Sequence, residues 1–563
     1  MPDSKLRERP GRPRRTTNVT RSIRLRPWQK VAFEKFVASD SEDFLTVATP
    51  GAGKTTFALT AARHVLAQDP RRRLIVVAPT AHLKVQWARA AAAFALHLDP
   101  AWSAADGRLP GDMHGIITTY QQVASSASVL AEVARDAFVV FDEIHHAGDD
   151  RAWGESVRTA FESASRRLSI SGTPFRSDTR AIPFVRYVQD EATPDFEYGY
   201  GEALADRGVV RPVYFPRTNG HMEWTAPDGS LNAASFDDDL DQARSSQRLR
   251  TALSIEGEWL PNVLRQAIDQ LEQLRLEQPD AAGLIIATDQ DHARGIVTMM
   301  RERFGQQAAV VLSDDPDASA RIASFGTGTD AWLVAVRMVS EGVDIPRLRV
   351  GVYATTTTTE LFFRQAVGRF VRWTPGIRNQ KAYLFIPDDP RLRARAFQIA
   401  DQRRHSLRKR EIDRFERDEA ALDTGSEEQL SLFAALSAVA TDHQVHGSWD
   451  GDDVDDDFEL MLDDDPTLVL DLAPPPPLAG DRRSLSDLGV AFGGDTAKTR
   501  REEKKRLREQ NAELVILLVR RTGQTHPQVN GELNRLSGVG RIAEATVPQL
   551  RTRLEAAERW ARR

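Results

Sequence analysis

The sequence of 563 residues contains no cysteine. This absence excludes disulfide bonds, a thiolate nucleophile and a zinc–thiolate site. No stretch approaches the roughly 18 consecutive apolar residues that a membrane-spanning helix needs. Aromatic residues make up only 7% of the chain, while 41% of residues are hydrophobic and 28% charged, which is typical of a globular protein. We therefore expect a cytoplasmic protein without a membrane partner.

Lysine is also scarce, because arginine supplies 65 of the 75 basic residues, and the formal net charge is −6. A negative overall charge does not by itself indicate a nucleic-acid-binding protein. The charge is unevenly distributed, however: residues 1–24 carry eight basic and two acidic side chains, whereas residues 450–465 carry ten carboxylates. No apolar run follows the N-terminal arginines, so we predict that residues 1–24 are a basic disordered tail rather than a secretory signal.

The length of the chain predicts two or three domains. Regions 25–215 and 262–395 both contain short β-branched runs that alternate with helical patterns, which predicts an α/β fold with two tandem parallel-sheet domains. The predicted strands of the first region are Phe44–Ala48, Leu74–Ala78, Gly115–Thr118, Phe138–Phe141 and Leu168–Ser171. Those of the second region are Leu284–Ala287, Ala309–Leu312, Trp332–Ala335, Arg349–Tyr353 and Ala382–Ile386.

The remaining segments differ in composition from these two regions. Residues 216–261 are polar and rich in aspartate, and we predict an insertion or linker there. Residues 396–446 are predicted to be a charged helical extension. Residues 447–485 combine the acidic run with the four consecutive prolines Pro474–Pro477 and are predicted to be a disordered linker. A helical C-terminal module is predicted at 486–563.

A phosphate-binding loop is predicted at ATPGAGKTT (Ala48–Thr56), which follows an apolar strand and precedes a helical pattern. Its small residues let backbone N–H groups surround phosphate oxygens at the start of a helix. Lys54 would bind the β- and γ-phosphates, and the Thr55 hydroxyl would bind Mg²⁺. The strict motif has glycine where this chain has Ala48. The predicted ATP-binding residues of this loop are Gly51, Ala52, Gly53, Lys54, Thr55 and Thr56.

Two carboxylates end another apolar strand in VVFDEIHHAG, 88 residues beyond Lys54. Carboxylates at the end of a buried strand are costly, which predicts that they have a chemical task. Asp142 is predicted to hold Mg²⁺, and Glu143 to orient and polarise the attacking water. His145 and His146 lack further ligands for a metal site. We expect His145 to couple the ATP site to neighbouring motifs.

The second region contains residues suited to the far side of the same site. Gln365, Arg369 and Arg372 are spaced at i, i+4 and i+7, which predicts one face of one helix. Arginine remains charged and can stabilise the charge that develops on the γ-phosphate. In VSEGVDIP, Gly342 and Asp344 are predicted to face this cleft from a strand-to-helix turn. ATP would then lie between two domains that close on binding and open on product release.

In this order the motifs resemble those of superfamily 2 helicases of the DEAD/DEAH type, particularly restriction-enzyme translocases and DNA-repair helicases. LRPWQ is similar to their adenine-reading motif, with Gln29 as the base contact. SGTPFR resembles motif III, which implies that Ser171 and Thr173 couple ATP hydrolysis to movement. The resemblance covers about residues 25–390 and implies two RecA-like domains.

The resemblance also implies a nucleic-acid partner held along a track of backbone contacts. Small hydroxyl groups can hold phosphates without reading sequence. The candidate phosphate contacts are Thr80, Thr118, Thr119, Thr288 and Ser340.

The polymer and its pathway are less sharply defined by the sequence. DEIHH and SGTPFR resemble DNA-acting relatives more than RNA-acting DEAD-box proteins, so we predict DNA, in repair, restriction or phage defence. An RNA helicase and an ATP-gated scaffold subunit of a defence complex remain open alternatives, as does translocation on duplex DNA without unwinding. The C-terminal module is a candidate binding site for phosphate or for a protein partner, and its pattern does not choose between them.

Overall fold

The computed structural model describes residues 22–107, 109, 111–149, 151–172, 182–189, 191–206, 208–225, 231–312, 315, 317–336, 345–377, 380–422, 468–478, 500–522, 524–540, 542 and 545–562. The strands are β1 (Ser22–Leu25), β2 (Asp43–Ala48), β3 (Leu74–Ala78), β4 (Leu98–Asp99), β5 (Gly115–Thr119), β6 (Phe138–Asp142), β7 (Arg166–Ser171), β8 (Tyr187–Val188), β9 (Glu191–Ala192), β10 (Phe196–Tyr198), β11 (Val213–Tyr214), β12 (Arg217–Thr218), β13 (His221–Thr225), β14 (Leu231–Ser235), β15 (Ala282–Ala287), β16 (Ala308–Val311), β17 (Trp332–Ala335), β18 (Leu348–Ala354), β19 (Ala382–Pro387) and β20 (Leu468–Asp471).

The helices are α1 (Pro27–Ala38), α2 (Lys54–Gln68), α3 (Ala81–Ala93), α4 (Tyr120–Val133), α5 (His146–Asp149), α6 (Arg151–Phe161), α7 (Tyr200–Ala205), α8 (Gln242–Ala252), α9 (Trp259–Glu277), α10 (Gln290–Phe304), α11 (Ala318–Thr327), α12 (Glu360–Val367), α13 (Pro390–Leu422), α14 (Arg500–Thr522), α15 (His526–Ser537) and α16 (Val547–Arg562). No helix of the described ranges is long and apolar enough to cross a membrane.

The first domain is built on a parallel sheet with the strand order β10-β2-β7-β6-β3-β5-β4. Every residue of β3 (LIVVA) is buried, as expected for a parallel sheet that is covered on both faces. Strands β2, β7 and β6 are neighbours. Because the carboxyl ends of parallel strands share one edge of the sheet, the loops that follow these three strands meet there.

The second domain has a parallel sheet with the order β11-β19-β18-β15-β17-β16, and β12 extends the pairing of β19. Its core includes Leu264, Ile285 and Trp332. The Trp332 ring lies so close to Gly283 that a Cβ there would be 2.2 Å from it, which explains the glycine in β15. The α/β prediction with two parallel sheets and a helical C-terminal region is confirmed.

The predicted boundary between the first domain and the linker differs from the structure. Strand β11 lies within the predicted first domain, 25–215, but pairs with β19 of the second sheet. The predicted linker, 216–261, contains the hairpin β13–β14 and helix α8, and it buries Met222, Phe236 and Leu249 in the core of the second domain. The sequence did not reveal these buried apolar residues because the polar residues between them make the segment polar on average. The stretch is therefore part of the second domain.

A second correction concerns the chain ends. Strand β20, inside the predicted disordered linker 447–485, pairs antiparallel with β1, whose first residues belong to the predicted tail. The residues after β20 continue along the first domain, and Leu472 and Leu478 are buried. Composition conceals this segment, because the short run LVLDL stands between ten carboxylates and four prolines. The rest of the predicted tail and linker lies outside the described residues.

The C-terminal module consists of α14, α15 and α16, which bury Leu518, Leu533 and Ala557 among other apolar residues. At its centre the buried Arg553 donates hydrogen bonds to the side chains of Asn511, Asn530 and Asn534. The module contacts the first domain through an ion pair between Lys504 and Asp112. Helix α13 starts in the second domain and reaches α7, where Ser406 Oγ donates to the Gly201 carbonyl at 2.7 Å.

Candidate active site between the two domains

The loop between β2 and α2 has a conformation that depends on glycine. Gly51 and Gly53 have φ angles of 84° and 95°, in the left-handed region that side chains disfavour. Helix α2 begins at Lys54, directly after Gly53, so its unpaired N–H groups face the loop. A concave backbone at a helix N-terminus is suited to bind phosphate.

The motif LRPWQ holds this loop from behind. Arg26 Nη1 donates to the carbonyls of Gly51 and Ala52 at 3.1 and 2.9 Å, and Gln29 Nε2 donates to the Gly53 carbonyl at 2.9 Å. In a trans peptide the carbonyl and the following N–H point in opposite directions. Because the carbonyls of Ala52 and Gly53 are anchored, the N–H groups of Gly53 and Lys54 point away from LRPWQ, toward the opposite side of the loop.

Lys54 and Glu143 form an ion pair at the centre of the site, with 3.2 Å between Nζ and Oε1. Glu143 Oε2 also accepts hydrogen bonds from Ser171 Oγ at 3.0 Å and from the Gly172 N–H at 2.9 Å. Burial acts to raise the pKa of Glu143, but Lys54, His145 and these two hydrogen bonds outweigh it and lower the pKa to about 2. Glu143 is therefore ionised at neutral pH.

Asp142 is held by aromatic donors. Trp87 Nε1 donates to Asp142 Oδ2 at 2.8 Å, and the Tyr120 hydroxyl donates to the Asp142 carbonyl at 3.0 Å. Burial and the charge of Glu143 raise the pKa of Asp142 to about 6, against the lowering effects of Trp87 and Lys54. Adjacent carboxylates with pKa values shifted in opposite directions are typical of a site in which the two have different tasks.

The second domain contributes Gln365, on α12. Gln365 Nε2 lies 3.3 Å from His145 Nε2, and His145 Nδ1 lies 3.3 Å from Ser171 Oγ. His145 Nδ1 is also 3.5 Å from Glu143 Oε2. A chain of polar contacts thus connects the second domain to the carboxylate of Glu143. This placement of His145 and Ser171 agrees with the coupling role expected from the sequence, which stays a prediction.

The prediction that Gln365, Arg369 and Arg372 lie on one helix is wrong. Helix α12 ends before Arg369, and the next residues form a turn with hydrogen bonds spanning three residues. The chain leaves the helix because Phe370 is fully buried over Gly351, where a Cβ would lie 2.4 Å from the Phe370 ring. Arg372 then forms a bridge to the segment before β11.

Arg372 nevertheless contacts the phosphate-binding loop. A Cβ on Gly51 would lie 3.2 Å from Arg372 Cδ, and a Cβ on Gly368 would lie 2.6 Å from Pro50 Cγ. The two domains therefore meet directly at the loop, with little room for any residue larger than glycine at these two positions. The site combines a lysine from one domain with an arginine from the other.

The candidate nucleic-acid contacts differ in their surroundings. Thr118 is fully buried and its hydroxyl donates to the Gln122 side chain, and its contact with phosphate stays a prediction. Thr119 caps α4 by accepting from the Gln122 N–H. Thr80 precedes α3 without a side-chain capping bond, and Thr288 donates to a backbone carbonyl of β18.

Four predicted residues, Thr173, Ser340, Gly342 and Asp344, lie outside the described residues. Within the described part of the chain, no group of three or more His, Asp or Glu side chains could hold a metal ion. Mg²⁺ needs no such cluster, because it retains several waters and binds one or two protein ligands together with phosphate oxygens. Thr55, in the first turn of α2, and Asp142, at the end of β6, offer oxygen ligands of this kind, and their role in binding Mg²⁺ stays a prediction.

Sequence reasoning did not identify Arg26, Trp28 and Trp87 as site residues, although Arg26 and Trp28 lie inside LRPWQ. Trp28 Nε1 donates to the Ala52 carbonyl at 3.1 Å, and its ring stacks on Tyr198 with 5.0 Å between centroids. A buried tryptophan usually needs a partner for its N–H. That requirement was the available signal for both tryptophans.

Comparison with known proteins agrees with this geometry. Residues 22–176 match the family model described as type III restriction enzyme, res subunit. In its fold and its site the chain is similar to helicase-like proteins of superfamily 2.

Relatives are found over nearly the whole chain. The chain belongs to the same family as protein MT2985 of Mycobacterium tuberculosis, which is 41% identical over 558 residues, covering 94% of this chain and 92% of the relative. Protein ML1624 of Mycobacterium leprae is 40% identical over 563 residues, covering 94% and 93%. Among solved structures, the ATP-dependent type ISP restriction-modification enzyme LlaBIII bound to DNA is 14% identical with a TM-score of 0.45; the match covers 65% of this chain but only 28% of that enzyme.

Proposed function

We propose that this protein is an ATP-dependent helicase or translocase that couples ATP hydrolysis to movement on, or remodelling of, DNA. The observation that carries the proposal is the shared site around the Lys54–Glu143 pair of the first domain. From the second domain, Gln365 contacts His145, and Arg372 lies against Gly51 in the phosphate-binding loop. An ATPase that only binds and releases nucleotide needs one such domain. Contacts from a second domain allow hydrolysis to change the distance between the two.

Lys54 has two alternative partners in this proposal. One is Glu143, with which it forms an ion pair. The β- and γ-phosphates of ATP, bound by the loop N–H groups, compete for its charge. Lys54 then leaves Glu143, whose ionised carboxylate becomes available to orient a water for attack on the γ-phosphorus. The water oxygen bonds to phosphorus as the bond to the bridging oxygen breaks, and Glu143 takes the proton of the water.

Other residues bind and stabilise around this step. Mg²⁺, held by Thr55 and Asp142, would neutralise phosphate charge. Arg372, with Arg369, stabilises the charge on the transferred phosphoryl group. Gln29 is the proposed adenine contact, although in the present arrangement it bonds to the loop itself. Gly342 and Asp344 are proposed to close the site from the second domain.

Coupling to the polymer is proposed to pass through His145. It contacts the second domain through Gln365 and the first through Ser171, so a change in the domain interface alters the surroundings of Glu143. The proposed phosphate contacts are Thr80, Thr118, Thr119, Thr288 and Ser340. The motifs DEIHH and SGTPFR support DNA as the polymer, and the C-terminal module is the proposed site for a protein partner in a repair, restriction or defence assembly.

A polymer-stimulated ATPase assay tests the proposal. Phosphate release is measured with single-stranded DNA, duplex DNA, forked DNA, RNA, and no polymer. Stimulation by DNA supports the proposal, and stimulation by RNA alone assigns an RNA helicase instead. ATP binding without turnover under every condition assigns an ATP-gated scaffold and refutes the motor.

A further inference from the structure

The segment 468–478, here named the C-terminal strap, touches the helix that carries the phosphate-binding lysine. Arg63 lies on α2 and is only 2% exposed. Its Nε donates to the Ala473 carbonyl at 2.9 Å, and its Nη2 donates to the Leu472 carbonyl at 3.2 Å. Loss of these partners would leave part of a buried cation unsatisfied, which is costly. The strap therefore satisfies a charge on the same helix that begins at Lys54.

The strap reaches the phosphate-binding loop by a second route. Strand β20 pairs with β1 over four residues, from Ser22 opposite Asp471 to Leu25 opposite Leu468. The residue that follows β1 is Arg26, whose guanidinium holds two carbonyls of the loop. One end of the loop is thus braced through Arg26, and the helix that follows it through Arg63.

The far end of the strap and the C-terminal module dock on neighbouring residues of the first domain. Asp112, which is buried, forms an ion pair with Lys504 at 2.8 Å and accepts from the Val547 N–H at 3.4 Å. His114, two residues away, lies with its Nε2 3.0 Å from the Pro476 carbonyl. A buried ion pair specifies one arrangement of its partners, because removal of either group leaves the other uncompensated.

We propose that the docked C-terminal strap positions the phosphate-binding loop, with Arg63 as the positioning residue that transmits its state to Lys54. This inference rests on the proposed function for the identity of the nucleotide. Preorganisation of the loop by the strap makes nucleotide binding tighter. By thermodynamic linkage, bound nucleotide must stabilise the docked strap by the same factor.

The test uses the full chain in three forms: wild type, Arg63→Met, and Arg71→Met as a matched control. Arg71 lies just after α2 and its side chain is 92% exposed. Two quantities are measured: the dissociation constant of a fluorescent ATP analogue, and hydrogen exchange of the backbone amides of residues 468–478 with and without that analogue. We expect Arg63→Met to weaken binding on the order of fivefold or more, and the control to leave it unchanged. In the wild type, nucleotide should slow exchange in the strap.

The outcomes separate this inference from the proposed function. Failure of the wild type to bind the analogue refutes the proposed function and, with it, the coupling. Normal binding with strap exchange that does not respond to nucleotide overturns the inference alone. The wild-type exchange experiment decides the question even if Arg63→Met does not fold. Equal affinity of folded Arg63→Met and wild type also overturns it.

Discussion

Glu143→Gln tests the two tasks that we propose for this carboxylate: holding Lys54 and activating water. Glutamine has the same shape, and its Oε1 can still accept from Ser171 Oγ and the Gly172 N–H, so the local geometry should be retained. The substitution removes the negative charge that pairs with Lys54 and that ATP must displace. It also removes the only function by which the side chain can take a proton from water. Tighter ATP binding and lost turnover should therefore appear together.

The size of each effect follows from the geometry. The side chains of Lys54 and Glu143 are 12% and 26% exposed, so water partly screens their ion pair. A hydrogen bond between charged groups contributes about 1.5–3 kcal/mol, and after screening we take roughly 1–2 kcal/mol. Because 1.4 kcal/mol is about tenfold in affinity, ATP should bind roughly five- to thirtyfold more tightly to the variant. Turnover should fall by at least about a hundredfold.

Binding is measured by titration with a fluorescent ATP analogue, and turnover by phosphate release with saturating DNA. Glu132→Gln is the matched control, because Glu132 is exposed on α4 and the substitution is the same. Near-normal hydrolysis in Glu143→Gln would refute the assignment of the water-polarising group. Weaker binding than in the wild type would refute the idea that the ion pair competes with ATP for Lys54.

Three further variants test other parts of the site. Asp142→Asn should stabilise the Mg²⁺-free protein by on the order of 2 kcal/mol at pH 7.5. The pKa of Asp142 is raised from 3.8 to about 6, so the wild type loses stability as pH rises from about 4 to 6. Thermal melts with EDTA at pH 4 and 7.5 check this, and equal gains in stability at both pH values would contradict it. Gly368→Ala places a Cβ against Pro50 and should lower DNA-stimulated turnover by on the order of a hundredfold while ATP still binds. Unchanged turnover would show that close contact between the two domains at Gly368 and Pro50 is not required. Arg372→Lys should lower turnover by on the order of a thousandfold, because lysine lacks the planar set of N–H donors of the guanidinium group. Single-turnover phosphate release measures this. A loss below about tenfold would refute the proposal that Arg372 stabilises the transition state.

The parts of the fold that repeat a strong local pattern could be predicted from the sequence. Strands such as Leu74–Ala78 are continuous apolar runs, and the structure reproduces their bounds. The positions of Lys54 and Glu143 followed equally well, because the loop that leads to Lys54 and the residue Glu143 each follow a buried strand at the same edge of one sheet. The local sequence pattern was sufficient to predict these elements because residues close in sequence determine them.

The errors arose where distant contacts decide the local structure. The spacing from Gln365 to Arg372 suits a helix, but burial of Phe370 over the second sheet ends the helix early. Strand β20 forms only because β1, more than 400 residues earlier, presents a pairing edge. The packing of Phe370 on Gly351 and the pairing of β20 with β1 cannot be predicted from the spacing of nearby residues.

The pairing of β1 with β20 has a practical consequence for work on shortened chains. A fragment that stops after α13 would lack β20, leaving β1 with an open hydrogen-bonding edge next to newly uncovered apolar side chains. Open strand edges of this kind recruit other chains and promote aggregation. Poor solubility or weak activity of such a fragment would then result from the unpaired edge of β1. It would not show that the two domains are unable to bind or hydrolyse ATP.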